Sequence, residues 1–192
     1  MDNAYQLKKT GDLFLNRRDF EKAIEYYEKA IQIDAKNPYI WYAKGNTLYK
    51  MKHYKEAIQS LDSALSLNPS LDRPWYVKGN IFRDLNALDD AILAFTNAIE
   101  RDPRSAFAHF GLGTTYARQG RDKDALESFD RAIAINNRLD KPWAEKGEIF
   151  LRQGNTKKAK ECFQRSLSID PHNAKAKNGL APIKNSDDVI QI

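Results

Sequence analysis

Residues 41–46 read WYAKGN, residues 75–80 read WYVKGN and residues 143–148 read WAEKGE. The first interval is 34 residues and the second is 68, twice 34; at 109–114, where a copy is missing, the chain reads HFGLGT with Gly113 still in register. A fixed period of this size signals a repeat architecture, and it overrides the one or two globular domains that 192 residues would otherwise suggest. With the three tryptophans at position 4 of a 34-residue unit, five units follow without insertion or deletion: 4–37, 38–71, 72–105, 106–139 and 140–173.

The register holds at other positions. Position 8 is Gly11, Gly45, Gly79, Gly113 and Gly147, and position 20 is Ala23, Ala57, Ala91, Ala125 and Ala159. Position 24 is large (Tyr27, Leu61, Phe95, Phe129, Phe163), as is position 11, while position 27 is Ala30, Ala64, Ala98, Ala132 and Ser166. Positions 4, 8 and 11 share one helical face and positions 20, 24, 27 and 28 another, separated by polar steps such as RQGR at 118–121. Each unit is therefore predicted to be a pair of helices. Glycine inside a helix costs about 1 kcal/mol relative to alanine. The expected compensation is close approach of the pair, with Gly at 8 facing Ala at 20 and 27 and the large residues filling the surrounding space. Asp-Pro and Asn-Pro steps at 68–69, 102–103 and 170–171 end the second helices, because the residue before proline disfavours the helical region. Helices this short are marginal alone, so neighbours must stack on one another.

Composition agrees. Sparse glycine and proline (9 and 7), with 42% apolar and 30% charged residues, fit an ordered helical protein. No apolar run approaches a membrane span, MDNAYQLKK lacks the core of a secretion signal, and the single Cys162 excludes an intrachain disulfide; the chain reads as cytoplasmic, with Cys162 a small buried apolar residue.

Trp, Gly, large, Ala, large and Pro at these positions resemble the tetratricopeptide repeat (TPR) pattern over residues 4–173. The departures are Lys44, Lys78 and Lys146 at the usual Leu position, Leu7 and His109 at the Trp position, and Ala35 and Asn137 at the Pro position. Pentatricopeptide RNA readers run one residue longer per unit, and this chain never slips. The resemblance implies an all-α, right-handed superhelical solenoid of five TPR helix-turn-helix repeats. Residues 174–184 (AKAKNGLAPIK) look like a short capping helix, curtailed by Pro182, and residues 185–192 like a flexible tail. Repeat 5, with Thr156, Lys160 and Ser166 in its second helix, is expected to be the least stable part of the stack.

In this family the first helices line a concave groove that binds peptide segments of partner proteins. Helical geometry points positions 2, 5, 6, 9, 12 and 13 away from positions 4, 8 and 11. Of those thirty residues eight are basic and four acidic, which places most of the net charge of +5 on one face together with seven aromatics. Aromatics beside arginines characterise recognition surfaces. The candidate binding residues are Tyr5, Lys8, Tyr39, Tyr42, Asn46, Tyr49, Arg73, Tyr76, Asn80, Arg83, Phe107, Phe110 and Thr114, centred on repeats 2 to 4. Ala43 and Gly111 at position 6 would leave room for ligand side chains, and Asn46 and Asn80 would hold the ligand backbone through both ends of their amides. The expected ligand is a segment with apolar or aromatic anchors and acidic flanks. The plainer reading is that the position-5 aromatics only pack along the groove wall, and Lys44 is read as a stem over apolar neighbours with its ammonium in water.

Two specific family sites fail residue by residue. A clamp for chaperone C-terminal carboxylates would need Lys, Asn, Asn, Lys and Arg where the chain offers Lys8, Asp12, Ala43, Arg73 and Val77, and the asparagine ladder of the sugar-transferase members is interrupted by Lys9, Ala43, Val77, Gly111 and Glu145. GLGTTY at 111–116 lies within a helix and follows no strand, so it is not a phosphate loop, and His53, His109 and His172 fall at unrelated repeat positions, which argues against metal. No cofactor or catalytic residue is expected. The leading reading is a non-enzymatic scaffold for a protein or peptide partner, with no membrane. Nucleic-acid binding through the basic face is the alternative, weakened by the four acids, and self-assembly through the repeat ends or the tail is a third.

Overall fold

The computed structural model describes residues 3–187. Among these residues there is no strand; eleven helices run α1 (Ala4–Asn16), α2 (Phe20–Ile33), α3 (Pro38–Lys50), α4 (Tyr54–Leu67), α5 (Asp72–Asp84), α6 (Leu88–Arg101), α7 (Ala106–Arg118), α8 (Asp122–Ile135), α9 (Asp140–Arg152), α10 (Thr156–Ile169) and α11 (Ala174–Asp187). The chain divides after Pro103 into two compact units, the first holding α1–α6 and the second α7–α11. Within each, odd-numbered helices pair with the even-numbered helices that follow, and pairs stack on pairs, so the fold class is all-α and TPR-like. No helix among the described residues is long and apolar enough to cross a membrane.

The turns inside the pairs share one geometry. Position 15 sits in the left-handed region in every unit: Arg18 (φ 63), Lys52 (63), Asn86 (59), Gly120 (75) and Gly154 (74). The next amide then reaches back to the position-11 carbonyl, for example His53 N to Leu48 O at 2.9 Å and Asn155 N to Phe150 O at 2.8 Å, which closes a Schellman motif. Between pairs, the stop lies in the Asp or Asn rather than in the proline. The carboxylate or amide oxygens of Asp34, Asn68, Asn136 and Asp170 accept from the backbone N–H two residues on, at 2.9–3.2 Å, whether proline follows or not.

The glycines at position 8 do face the paired helix; the position-20 alanine lies close at Gly45 and Gly113, where its carbonyl is 3.1 and 3.2 Å from an added Cβ, but the nearest partner is the large residue at position 24. A Cβ built on Gly11, Gly79, Gly113 or Gly147 would lie 2.5–2.7 Å from the ring at position 24, and one on Gly45 2.9 Å from Leu61 Cγ. The glycine is the bed for the large side chain, and all five position-24 residues are fully buried on it.

A second packing face was not foreseen. Positions 3, 6 and 10 of the first helices meet the preceding pair: Ile40 and Ala43 join the core of repeat 1, Val77 and Ile81 that of repeat 2, and Ile149 that of repeat 4. The 7% exposed Ala43 therefore leaves no room for a ligand, and Gly111 is buried as well. Leu13, at position 10 of repeat 1 with no pair before it, is exposed. The lysines at the usual Leu position belong to the same joint. Lys44 and Lys78 donate to Glu28 and Asp62 of the preceding second helix at 2.7 Å, and Lys146 to Asp130, with the ammonium groups of Lys78 and Lys146 over the rings of Trp75 and Trp143. The Lys44 ammonium is thus held in an ion pair rather than free in water.

In the second unit α11 packs on α9 and α10 through Ala176, Leu180 and Ile183. It does not stop at residue 184. Pro182 lies inside it, where it removes one amide donor without ending the helix. Of the predicted tail, residues 188–192 lie outside the described residues.

Candidate functional site

The first unit is built from three first helices, α1, α3 and α5, so one residue from each repeat position recurs in a row. At position 2, Tyr5 and Tyr39 are 67% and 55% exposed, and Arg73 follows them, also exposed. At position 5, Lys8, Tyr42 and Tyr76 are half-buried. Burial, the larger cause, raises the Tyr42 hydroxyl pKa, and the neighbouring Arg73 guanidinium opposes that. Tyr76 leans on the core ring of Phe95, with centroids 6.0 Å apart. The plain packing role proposed for position 5 therefore describes Tyr76 well and Tyr42 partly.

Several candidate groups are already engaged. Lys8 Nζ pairs with Asp12 at 2.7 Å, and the same carboxylate accepts the buried Tyr27 hydroxyl at 2.9 Å. Arg83 Nη2 donates to Asn80 Oδ1 at 2.8 Å, and its guanidinium lies over Phe95 at 5.7 Å. Asn80 is itself buried, so its amide cannot serve a ligand from both ends. Asn46 is half-buried and its side chain is not so engaged. Tyr49 donates to Asp84 Oδ2 at 3.2 Å and leans on Tyr54; burial, then the Asp84 carboxylate, pushes its pKa up to about 12, which fixes it as a donor at neutral pH.

In the second unit the candidates lie on α7. Phe107 is 57% exposed, Phe110 rests on the core ring of Phe129 at 5.9 Å, and the Thr114 hydroxyl donates to the Gly111 carbonyl at 2.8 Å within its own helix. Phe107 is thus the counterpart of Tyr5 and Tyr39, and Phe110 that of Tyr76. Cys162 is buried in α10, and burial raises its thiol pKa, which keeps it protonated and unreactive.

Reading a helical face from the sequence missed the turn residues. Asn46 and Tyr49 open onto a cleft of about 670 Å3 at the ends of α1 and α3, whose wall also includes Arg18 and Lys52 from position 15. A basic residue where other repeats place Gly or Asn was the available signal.

Sequence models of the tetratricopeptide repeat match residues 76–139, and again 38–71 and 141–173, while a TPR repeat model matches residues 11–52. No curated protein matches the sequence. Among solved structures, a crystal structure of MamA is 25% identical, with 86% of this chain and 96% of that one covered and a TM-score of 0.74. YrrB, described as a TPR protein with an unusual peptide-binding site, is 22% identical over 92% and 91%, with a TM-score of 0.70. PilF of Pseudomonas aeruginosa is 16% identical over 96% and 84%, with a TM-score of 0.88.

Proposed function

The chain belongs to the tetratricopeptide repeat family, and from that premise we propose that it is a non-enzymatic scaffold whose α1, α3 and α5 face binds an extended segment of a partner protein. TPR proteins bind protein or peptide partners, and the scaffold families are generally non-enzymatic. The observation that carries the reading is the row at position 2: two tyrosines more than half exposed, followed by an exposed Arg73, beside a half-buried Tyr42 whose hydroxyl feels that guanidinium. Rigid aromatics with a polar tip supply contact area at low entropic cost, and a guanidinium beside them recognises carboxylates through two parallel hydrogen bonds. The ligand is therefore a peptide with apolar or aromatic anchors and acidic neighbours.

Peptides selected on the full chain from a random display library test this. They are expected to lose about tenfold or more in affinity for a Tyr5→Ser/Tyr39→Ser/Arg73→Ala variant. These three side chains lie outside the core, so a folded variant that binds as tightly as the parent defeats the proposal. Tyr76 and Arg83 are poorer probes, because both touch Phe95.

A further inference from the structure

The cleft at the turn edge of the first unit brings several cations and aromatic rings together in one wall. Three cations, Arg18, Lys50 and Lys52, border it, and among the described residues none has a carboxylate at ion-pair distance. The one acid in the wall, Asp84, already accepts the Tyr49 hydroxyl. Phe20 and Tyr54 give it an apolar floor, and its volume of about 670 Å3 accommodates two or three side chains. By contrast, the lysines at the joints between repeats have their carboxylates, and Lys8 has Asp12.

Two of the three cations stand where the backbone gives no reason for them. Arg18 and Lys52 have φ of 63°, while the same turn in the second unit is made by Gly120 and Gly154. A left-handed residue with a side chain costs on the order of 1 kcal/mol. Among the described residues neither side chain makes a hydrogen bond, ion pair or ring contact that would offset that, and conformational cost of this kind accumulates at functional sites.

We propose that this cleft seats the acidic part of the bound peptide: two or more carboxylates held by Arg18, Lys50 and Lys52, with an apolar or aromatic residue of the ligand against Phe20 and Tyr54. The assignment rests on the peptide-binding reading above and gives it a location, at the turn ends of α1 and α3 rather than in the middle of the groove face. Asn46 and Tyr49 belong to both the face and the cleft, so one extended chain reaches from the tyrosine row into the cations. A peptide is the occupant that the tyrosine row on the adjoining face calls for, and a phosphate backbone is one of the outcomes of the test.

The test uses the full chain and the same library-selected peptides, of about 12 residues. They should be enriched in Asp and Glu. They should bind an Arg18→Gly/Lys50→Ala/Lys52→Gly variant about tenfold or more weakly, bind Arg18→Lys/Lys50→Arg/Lys52→Arg nearly as the parent, and weaken as salt rises. The glycines suit the left-handed turn, so this variant keeps its fold. Peptides without acidic bias, or with unchanged affinity for the cation-deleted variant, overturn the cleft assignment; if they still depend on Tyr5, Tyr39 and Arg73, the groove reading survives alone. Dependence on the cleft without dependence on the tyrosine row leaves the cleft and removes the groove. Failure to select any peptide removes both, and binding of an oligouridylate that is lost in the cation-deleted variant, with no acidic peptide bound, reassigns the cleft to phosphate.

Discussion

Gly113 shows how much one residue decides in this fold. An added Cβ would sit 2.6 Å from Phe129 Cε1 and 3.2 Å from the Ala125 carbonyl, so neither the ring nor the neighbouring backbone has room to yield. Gly113→Ala should cost about 1–3 kcal/mol, as overpacking does. Gly120→Ala meets no atom within 4 Å and pays only for φ +75°, about 1 kcal/mol. Denaturant titration of the two variants separates sterics from backbone preference, and equal losses would contradict the packing account. Tyr49 supplies a residue-scale test in pH. Its pKa is about 12 in the folded chain against an unfolded value near 10, so the folded state holds the proton more tightly. The contribution is whole below pH ~10 and is lost as pH rises through the folded value. Alkaline titration followed by phenolate absorbance should therefore show Tyr49 titrating late, and in Asp84→Asn it should titrate earlier but still above the ordinary range, because the partner's charge is gone while burial remains.

At the scale of the element, every pair has a left-handed residue inside it, and four of the five are closed by an Asp or Asn oxygen after them. Lys52→Gly should raise stability by roughly 0.5–1 kcal/mol, since glycine adopts this turn without strain; a loss in urea denaturation would mean that the lysine is stabilised by something within the fold. The helices were legible because apolar positions recur at helical spacing, and the turns because polar steps interrupt them. The second packing face was not. A face read from positions 4, 8 and 11 describes one helix against one partner, whereas each interior first helix has two, and Ala43 and Val77 at position 6 go to the second. The same blindness hid the role of Lys44, Lys78 and Lys146: their carboxylates lie 16 residues away on the preceding repeat, a distance at which no local rule applies.

At the scale of the molecule, stability in a repeat protein is a sum of local terms, so weak repeats open first. The second helix of repeat 5 buries Ser166, whose hydroxyl has no hydrogen-bond partner among the described residues, where repeats 1 to 4 bury alanine. Ser166→Ala should stabilise by about 1 kcal/mol, because an unsatisfied buried hydroxyl is removed with little change in volume. Hydrogen exchange should show α10 and α11 less protected than α2 and α4, and slowed in that variant; full protection in the parent would contradict the ranking. The repeat register, with its glycines and large residues, identified the family from the sequence alone, while the candidate site was legible only in part. The exposed tyrosines at position 2 could be read from helical phase. The engagement of Lys8, Asn80 and Arg83, and the cations at the turn edge, depend on which side chains meet in space. The central claim is that the α1, α3 and α5 face binds a peptide. Titration of a library-selected peptide against the parent and the Tyr5→Ser/Tyr39→Ser/Arg73→Ala variant tests it most directly. The account predicts saturable binding by the parent and about tenfold or greater loss in the folded variant; equal affinity for the two proteins would contradict it.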